Sequence, residues 1–298
     1  MKKDNLNFIF WGTPDVASET LEILKENGYI PSLIITAPDK PQGRKMTITP
    51  PPVKVWAIEN NIPYIQPEIL SSKDLLLAGV SQADEPRGSA VPAGTDSDPI
   101  KVESLLNLFL VVAYGKIIPE DIINLPKLGS INIHYSLLPK YRGASPVESA
   151  ILNGDTETGI TIQKMEYKMD TGPIIIQEKV GIDLEEKAGD LRKRLIKIGG
   201  EFLVKILPDF IDGKIKLIPQ NENEATYCKK IKKEDGEIDL NADPIKNYNK
   251  FRAYATWPRI FFFKDGKRII ITDAVLENGN FTIKKVIPEG EKEINYKL

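Results

Sequence analysis

Three residues near the middle of the chain have the types that acyl chemistry on an amine would use. Asn132 and His134 stand two apart in "SINIHYS", and Asp170 stands in the turn "MDTGP". In a strand, a spacing of two puts both side chains on one face. An amide and an imidazole can donate to an oxyanion. The imidazole can move a proton near neutral pH. A carboxylate can orient the ring and favour its charged form. No serine or cysteine nucleophile is needed if a substrate amine attacks directly. His134 is the only histidine in 298 residues. Plainer readings stand beside these: a lone histidine as a hydrogen-bonded structural residue, and an aspartate before Thr-Gly as a turn cap.

The elements that would carry these residues alternate. "LNFIFWG" is a short apolar run, followed by a Gly-Thr-Pro turn and a helical pattern through Leu21, Ile23 and Leu24 that ends near Gly28. Leu33–Thr36 repeats the strand and leads into a loop rich in Pro, Gly and basic residues. "PPVKVWAIENNI" reads as a helix with proline at its start. "LFLVVAYG" and "GSINIHYS" are further strands. Apolar strands alternating with helices predict an α/β, Rossmann-like, mostly parallel sheet covered on both faces. Ligands of such sheets bind beyond the carboxyl ends of the strands. Gly12-Thr13-Pro14, Tyr114-Gly115 and His134 sit at predicted strand exits and should meet in one crevice. After His134, the irregular segment Ser136–Pro139 should offer free backbone groups to a flat heterocycle.

An amphipathic helix is expected over Ala188–Gly213, with a Gly-Gly pair inside it. The polar stretch Pro219–Thr226 reads as linker. Beyond it, a helical piece near Ile245–Tyr254 leads into short strands joined by Asp-Gly and Asn-Gly turns, a small β-rich second domain. Ala78–Pro99 contains neither lysine nor isoleucine, in a chain full of both. Its Gly/Pro/Ala/Ser/Asp composition predicts a disordered insertion.

The net charge of −2 points to no bulk nucleic-acid affinity, so any basic surface must be local. Lys40, Arg44 and Lys45 form one such group, with Asp39 alone opposing them. Lys229, Lys230, Lys232 and Lys233 form another. Both fit phosphate contacts, or a solvated face. Tyr227 and Trp257 nearby could stack on bases or pack in a core. One cysteine, Cys228, cannot pair within the chain, and one Cys with one His make a poor zinc set. No metal is expected. A reducing compartment, absence of a leader or membrane span, and a cytoplasmic monomer are the expectations.

"NIHYSLLPKYRGASPVESAILNGDTETGITIQKMEYKMDTGPII" resembles the folate-dependent formyltransferase family, whose members carry N-x-H-x-S-L-L-P and a downstream D-T-G. The resemblance implies an Asn132–His134–Asp170 active site. It implies a tetrahydrofolate pocket lined by Ser136, Leu137, Leu138 and Pro139, with Tyr114, Gly115, Lys116, Ile117, Ile118 and Pro119 as another wall. "FWGTPDVASETLEIL", "TAPDKPQGRKMTITPPPVKVWA" and "ATYCKKIKKEDGEIDL" resemble the members that act on methionyl-tRNA, rather than those acting on nucleotide-linked amino sugars. This implies 10-formyltetrahydrofolate as co-substrate and initiator methionyl-tRNA as partner. The Lys40, Arg44, Lys45 loop would then face the tRNA acceptor end. It also implies a catalytic domain over 1–207, a linker over 208–225 and an OB-like, shortened C-terminal domain over 226–298. Tyr135 replaces a small residue of the family and, out of phase with His134, should point away from the site.

Overall fold

The structure is a computed structural model that describes residues 6–43, 45–70 and 107–297. The Ala78–Pro99 segment and Arg44 lie outside the described residues. Contacts divide the chain into two compact units. The first comprises Met1–His134, Ile162–Ile176 and Ile196–Gln220; the second comprises Tyr135–Thr161, Gln177–Leu195 and Asn221–Leu298.

The first unit is built on strands that the apolar runs form. β1 (Phe8–Gly12) and β6 (Leu108–Val112) are buried at every position. A continuous apolar strand has no solvent face, which is the pattern of a parallel interior strand. β2 (Leu33–Ile35), β5 (Tyr64–Ile65) and β7 (Ser130–His134) extend the sheet. The registers Gly12↔Val112 and Val111↔Asn132 make β1, β6 and β7 parallel neighbours. With β9 (Glu157–Lys164) and β10 (Ile174–Gly181), the order among the described residues is β10-β9-β7-β6-β1-β2-β5. The mostly parallel α/β sheet expected from the sequence is present.

The helix α1 (Asp15–Glu26) follows β1 and buries Val16, Ala17, Thr20, Leu21 and Leu24, a stripe at helical spacing. Gly12 makes the turn into it. A Cβ on Gly12 would stand 2.6 Å from Ala17 Cβ and 2.7 Å from the Phe10 ring, so only glycine fits. The Gly-Gly pair in the helix Ala188–Ile211 has a similar cause: a Cβ on Gly200 would lie 2.7 Å from Ile23 Cδ1.

The basic loop after β2 differs from its expected irregular form. It folds as a two-stranded antiparallel hairpin, β3 (Lys40–Gln42) against β4 (Thr47–Thr49). Pro41 tolerates this because each strand has only one partner, and a proline without N–H can sit at an edge. α2 (Pro52–Glu59) follows, with proline in its first turn as read from the sequence.

In the second unit, β12 (Phe261–Lys264), β13 (Lys267–Glu277), β14 (Asn280–Pro288) and β15 (Ile294–Asn295) form an antiparallel sheet in chain order. That is one strand fewer than the five of an OB barrel. Its first two turns are Asp265-Gly266 and Asn278-Gly279. All four residues have positive φ, the conformation that two-residue hairpins demand. The helix Pro244–Ala253 packs on this sheet, with the Phe251 and Phe281 ring centroids 6.5 Å apart. Asp243 caps that helix, accepting from the N–H groups of Ile245 and Lys246 at 2.8 and 3.2 Å. No helix among the described residues is long and apolar enough to cross a membrane.

Candidate active site

In the first unit the exits of β1, β6 and β7 stand side by side. Thr13 Oγ1 donates to the Tyr114 carbonyl at 2.8 Å, which ties the Gly-Thr-Pro turn to the Tyr114-Gly115 turn. The Tyr114 side chain is buried and meets Trp11 edge-on at 5.2 Å, and burial pushes its phenol up to about 12. Tyr114 therefore offers backbone rather than ring to a ligand. Gly115 has φ +80° and open space where a Cβ would be, and Ile117 is 75% exposed beside it. Lys116 Nζ donates to the Pro67 carbonyl at 2.8 Å, so it braces this turn. An open glycine and an exposed isoleucine form a wall that suits a flat ring system.

Asn132 and His134 project from β7 on one face, as the spacing of two requires. Asn132 Nδ2 donates one hydrogen to the Val111 carbonyl at 3.0 Å, leaving its second N–H as the donor available to a ligand. His134 is 6% exposed. Its Nδ1 lies 3.6 Å from Asp170 Oδ2, an ion-pair distance slightly beyond a hydrogen bond. The sequence distance of 36 residues between them is closed by the path from β7 through β9 to the following turn. The other carboxylate oxygen, Asp170 Oδ1, accepts from Gln163 Nε2 at 2.9 Å. Asp170 thus does more than cap its own turn: its carboxylate faces the imidazole.

Ser136, Leu137, Leu138 and Pro139 belong to the second unit. Their backbone is less free than the sequence suggested. Thr161 Oγ1 donates to the Ser136 carbonyl at 2.6 Å and accepts from Leu138 N–H at 3.0 Å. Gln177 Nε2 donates to the Leu138 carbonyl at 2.8 Å. The Leu137 and Pro139 carbonyls accept from Lys140 and Thr226 N–H groups. Thr161, Gln177 and Thr226 satisfy the segment through bonds that span 23 or more positions, fixing it rather than leaving it open. Leu138 is buried, and the Leu138–Pro139 peptide is cis. A cleft of about 340 Å³ in this unit is lined by Leu137, Lys140, Tyr141, Asp155, Glu157 and Thr158. Tyr141 donates to Asp155 Oδ2 at 2.7 Å, and burial, then Asp155, pushes its hydroxyl up to about 12. Tyr135 is buried, consistent with its opposite phase from His134.

The hairpin cations Lys40 and Lys45 are exposed. Asp39, expected to oppose them, faces elsewhere. Its carboxylate accepts from Lys54 Nζ at 2.8 and 2.9 Å and from Gln66 Nε2 at 2.8 Å. The Lys54 hydrogen bond, then that of Gln66, holds the carboxyl below its usual range. The base of the hairpin is pinned while its cations face solvent. Tyr227 is 70% exposed and Trp257 54%, so neither is a core aromatic; Lys229, Lys230, Lys232 and Lys233 are exposed too.

Pro219–Thr226 is more than a tether. Gln220 Nε2 donates to the carbonyls of Asp170 and Gly172 at 2.8 and 2.7 Å. In the second unit, Glu222 pairs with the buried Arg142 through two hydrogen bonds of 2.7 and 2.9 Å. β11 (Tyr227–Cys228) pairs in parallel with β8 (Arg142–Gly143). Sequence reasoning missed Gln163 and Gln220. The available signal was the run Ile160-Thr161-Ile162-Gln163, where polar residues alternate with buried isoleucines in a strand with no exposed face.

Comparison with known proteins accords with this arrangement. The formyl transferase model matches residues 5–207, and the model of the formyl transferase C-terminal domain matches residues 230–295. A methionyl-tRNA formyltransferase of Thermotoga maritima is 40% identical over 253 residues, which cover 85% of this chain and 74% of that protein. Among solved structures, the methionyl-tRNA formyltransferase of Clostridium thermocellum is 18% identical with a TM-score of 0.55, covering 98% of this chain and 100% of that one. The N-formyltransferase of Helicobacter canadensis in complex with folinic acid and dTDP-3-aminofucose is also 18% identical. Its TM-score is 0.63, with 92% of this chain and 88% of that chain covered. At such identities the two structures speak for the fold alone. The family model spans well over half of the chain, and the Thermotoga relative is matched along most of both sequences: the chain belongs to the formyl transferase family.

Proposed function

We propose that this protein transfers the formyl group of 10-formyltetrahydrofolate to the amino group of methionine on initiator methionyl-tRNA, and so serves translation initiation. The observation that carries the chemistry is Asp170 facing His134 Nδ1 at 3.6 Å at the exit of the strand that also bears Asn132. The 40% identity to a methionyl-tRNA formyltransferase supports the choice of acceptor over an amino sugar.

The folate supplies an activated formyl carbon bonded to a nitrogen. The methionine amine attacks that carbon, and the carbonyl oxygen gathers negative charge. The second Asn132 N–H donates to that oxygen, joined by His134 Nε2–H once the ring has taken up the proton of the attacking amine. His134 shuttles a proton from the attacking amine towards the folate nitrogen as the old C–N bond breaks. Asp170 stabilises the charged ring during the transfer. Gly115, Ile117 and the fixed Ser136–Pro139 segment hold the folate; Lys40, Arg44 and Lys45 receive phosphates of the tRNA. By sequence we assign catalysis to 1–207, linking to 208–225 and tRNA holding to 226–298, a division by chain order that differs from the two contact units. The protein works as a monomer in the cytoplasm.

The test is a parallel incubation with 10-formyltetrahydrofolate and either charged initiator tRNA or a nucleotide-linked amino sugar. Formylated methionine should appear in the first, with little product in the second. The reverse result would transfer the assignment to the sugar.

A further inference from the structure

The Asp170 carboxylate is aimed at His134 by a turn that Thr171 closes from within, its N–H and Oγ1 donating to the Lys168 carbonyl at 3.4 and 3.0 Å, and that other residues hold from outside. Asp170 has φ +56°, in the left-handed region that residues with a Cβ visit rarely. Aspartate tolerates this conformation in turns, and neighbouring groups hold it here. Gln220 supplies one constraint through its bonds to the carbonyls of Asp170 and Gly172. Gly172 supplies another, since a Cβ there would strike the Lys164 carbonyl. Neither bond of Gln220 touches the carboxylate itself.

The group that does is Gln163. It is 2% exposed on β9, and its Nε2 donates to Asp170 Oδ1 at 2.9 Å. Oδ2 is thereby left to face the imidazole. The amide could in principle be turned the other way, with its oxygen against the carboxylate. Gln220 opposes that, because its Nε2 lies 3.5 Å from Gln163 Oε1 and would meet a second donor after a flip. The three side chains act on one turn: Gln220 holds the Asp170 and Gly172 carbonyls, Gln163 bonds Asp170 Oδ1, and Asp170 Oδ2 faces His134 Nδ1.

On the proposed function of the site, we infer that Gln163 is the positioning residue that sets the tautomer of His134. A carboxylate facing Nδ1 draws the neutral ring's proton to Nδ1 and leaves Nε2 as the nitrogen that exchanges protons with the reacting amine. The tautomer of a histidine follows from the partner of its other nitrogen. If Asp170 turns away, the pull on the Nδ1 proton is lost, the ring shifts towards the Nε2–H form, and Nε2 can no longer accept.

The sole histidine makes this readable without substrate. In tag-free protein labelled at histidine nitrogen, every imidazole signal belongs to His134. The wild type should show the Nδ1–H form in its neutral ring. Gln163→Met, which keeps length and removes the donor, should shift the ring to the Nε2–H form. Its kcat should fall about 10–100-fold, the scale for losing an orienting partner behind a site residue, with the KM values for folate and tRNA held. A folded Gln163→Met protein with the wild-type tautomer overturns the inference. If that variant does not fold, Gln220→Met leaves β9 unaltered and must move the same signals in the same direction; unmoved signals again overturn it. A wild type that formylates nothing would refute the proposed function, while the tautomer measurement would still decide the role of Gln163.

Discussion

Once His134 is removed, the chain has no other imidazole to take its place, and that sharpens every argument at the scale of residues. Asn132 and His134 were legible because their spacing in a strand is a local matter. Asp170 was legible as a candidate to orient the ring, whereas the 3.6 Å approach itself depends on how β9 and the following turn return to β7. Gln163 and Gln220 escaped because their bonds join positions 7 and 50 residues from Asp170, and a glutamine carries no local sign of its acceptor. Arg44 belongs to this scale through its sequence neighbours. A guanidinium can clamp a phosphate with two hydrogen bonds that lysine cannot copy. Arg44→Ala should weaken productive tRNA binding by roughly 1–3 kcal/mol, the range for a hydrogen bond to a charged group. The salt dependence of tRNA affinity should also become shallower. Folate affinity should hold. Unaltered kcat/KM for charged tRNA at every salt concentration would take Arg44 off the recognition surface.

Elements were readable where their signal is local and misread where it is not. The wholly apolar β1 and β6, the proline that opens α2, and the Asp-Gly and Asn-Gly turns all carry their own instructions. The hairpin of β3 and β4 was hidden because exposed strands containing Pro41 lack apolar alternation. Its anchorage also lies elsewhere, in Lys54 and Gln66. That anchorage has a pH signature. The folded-state carboxyl of Asp39 titrates below its ordinary value of 3.8 because Lys54 and Gln66 bond its charged form. Its stabilising contribution is therefore complete above that value and is lost as pH falls through the lower, folded-state one. Asp39→Asn should lower Tm near neutral pH, and the gap from wild type should close as pH falls below 3.8. A gap that widens on acidification would contradict the sign. At the exit of β1, Gly12→Ala should cost about 1–3 kcal/mol, the usual scale of overpacking, read as a lower Tm. An unchanged Tm would mean that α1 can back away from the strand.

On the scale of the whole molecule, the α/β class and the β-rich C-terminal part were legible from composition and alternation, whereas the compact units were not. Chain order suggests a cut near the polar stretch before Tyr227. The contacts instead place 135–161 and 177–195 with the C-terminal residues, because β11 pairs with β8 and Glu222 holds Arg142. Replacing Ala78–Pro99 by a short Gly/Ser link should leave kcat/KM near wild type, since loop closure changes by only about 0.6 kcal/mol per doubling of length. A large loss of tRNA affinity would assign that segment a role in binding. The claim on which the rest depends is that formyl transfer runs through His134. It is tested most directly by single-turnover formylation of initiator methionyl-tRNA from 10-formyltetrahydrofolate, comparing wild type with His134→Ala, with both ligands' affinities measured on the same preparations. The expected result is a rate lower by about 10²–10⁴, the range for a lost acid/base group, with both affinities intact. A variant that keeps more than about a tenth of the wild-type rate, well short of the loss such a group normally causes, would contradict it.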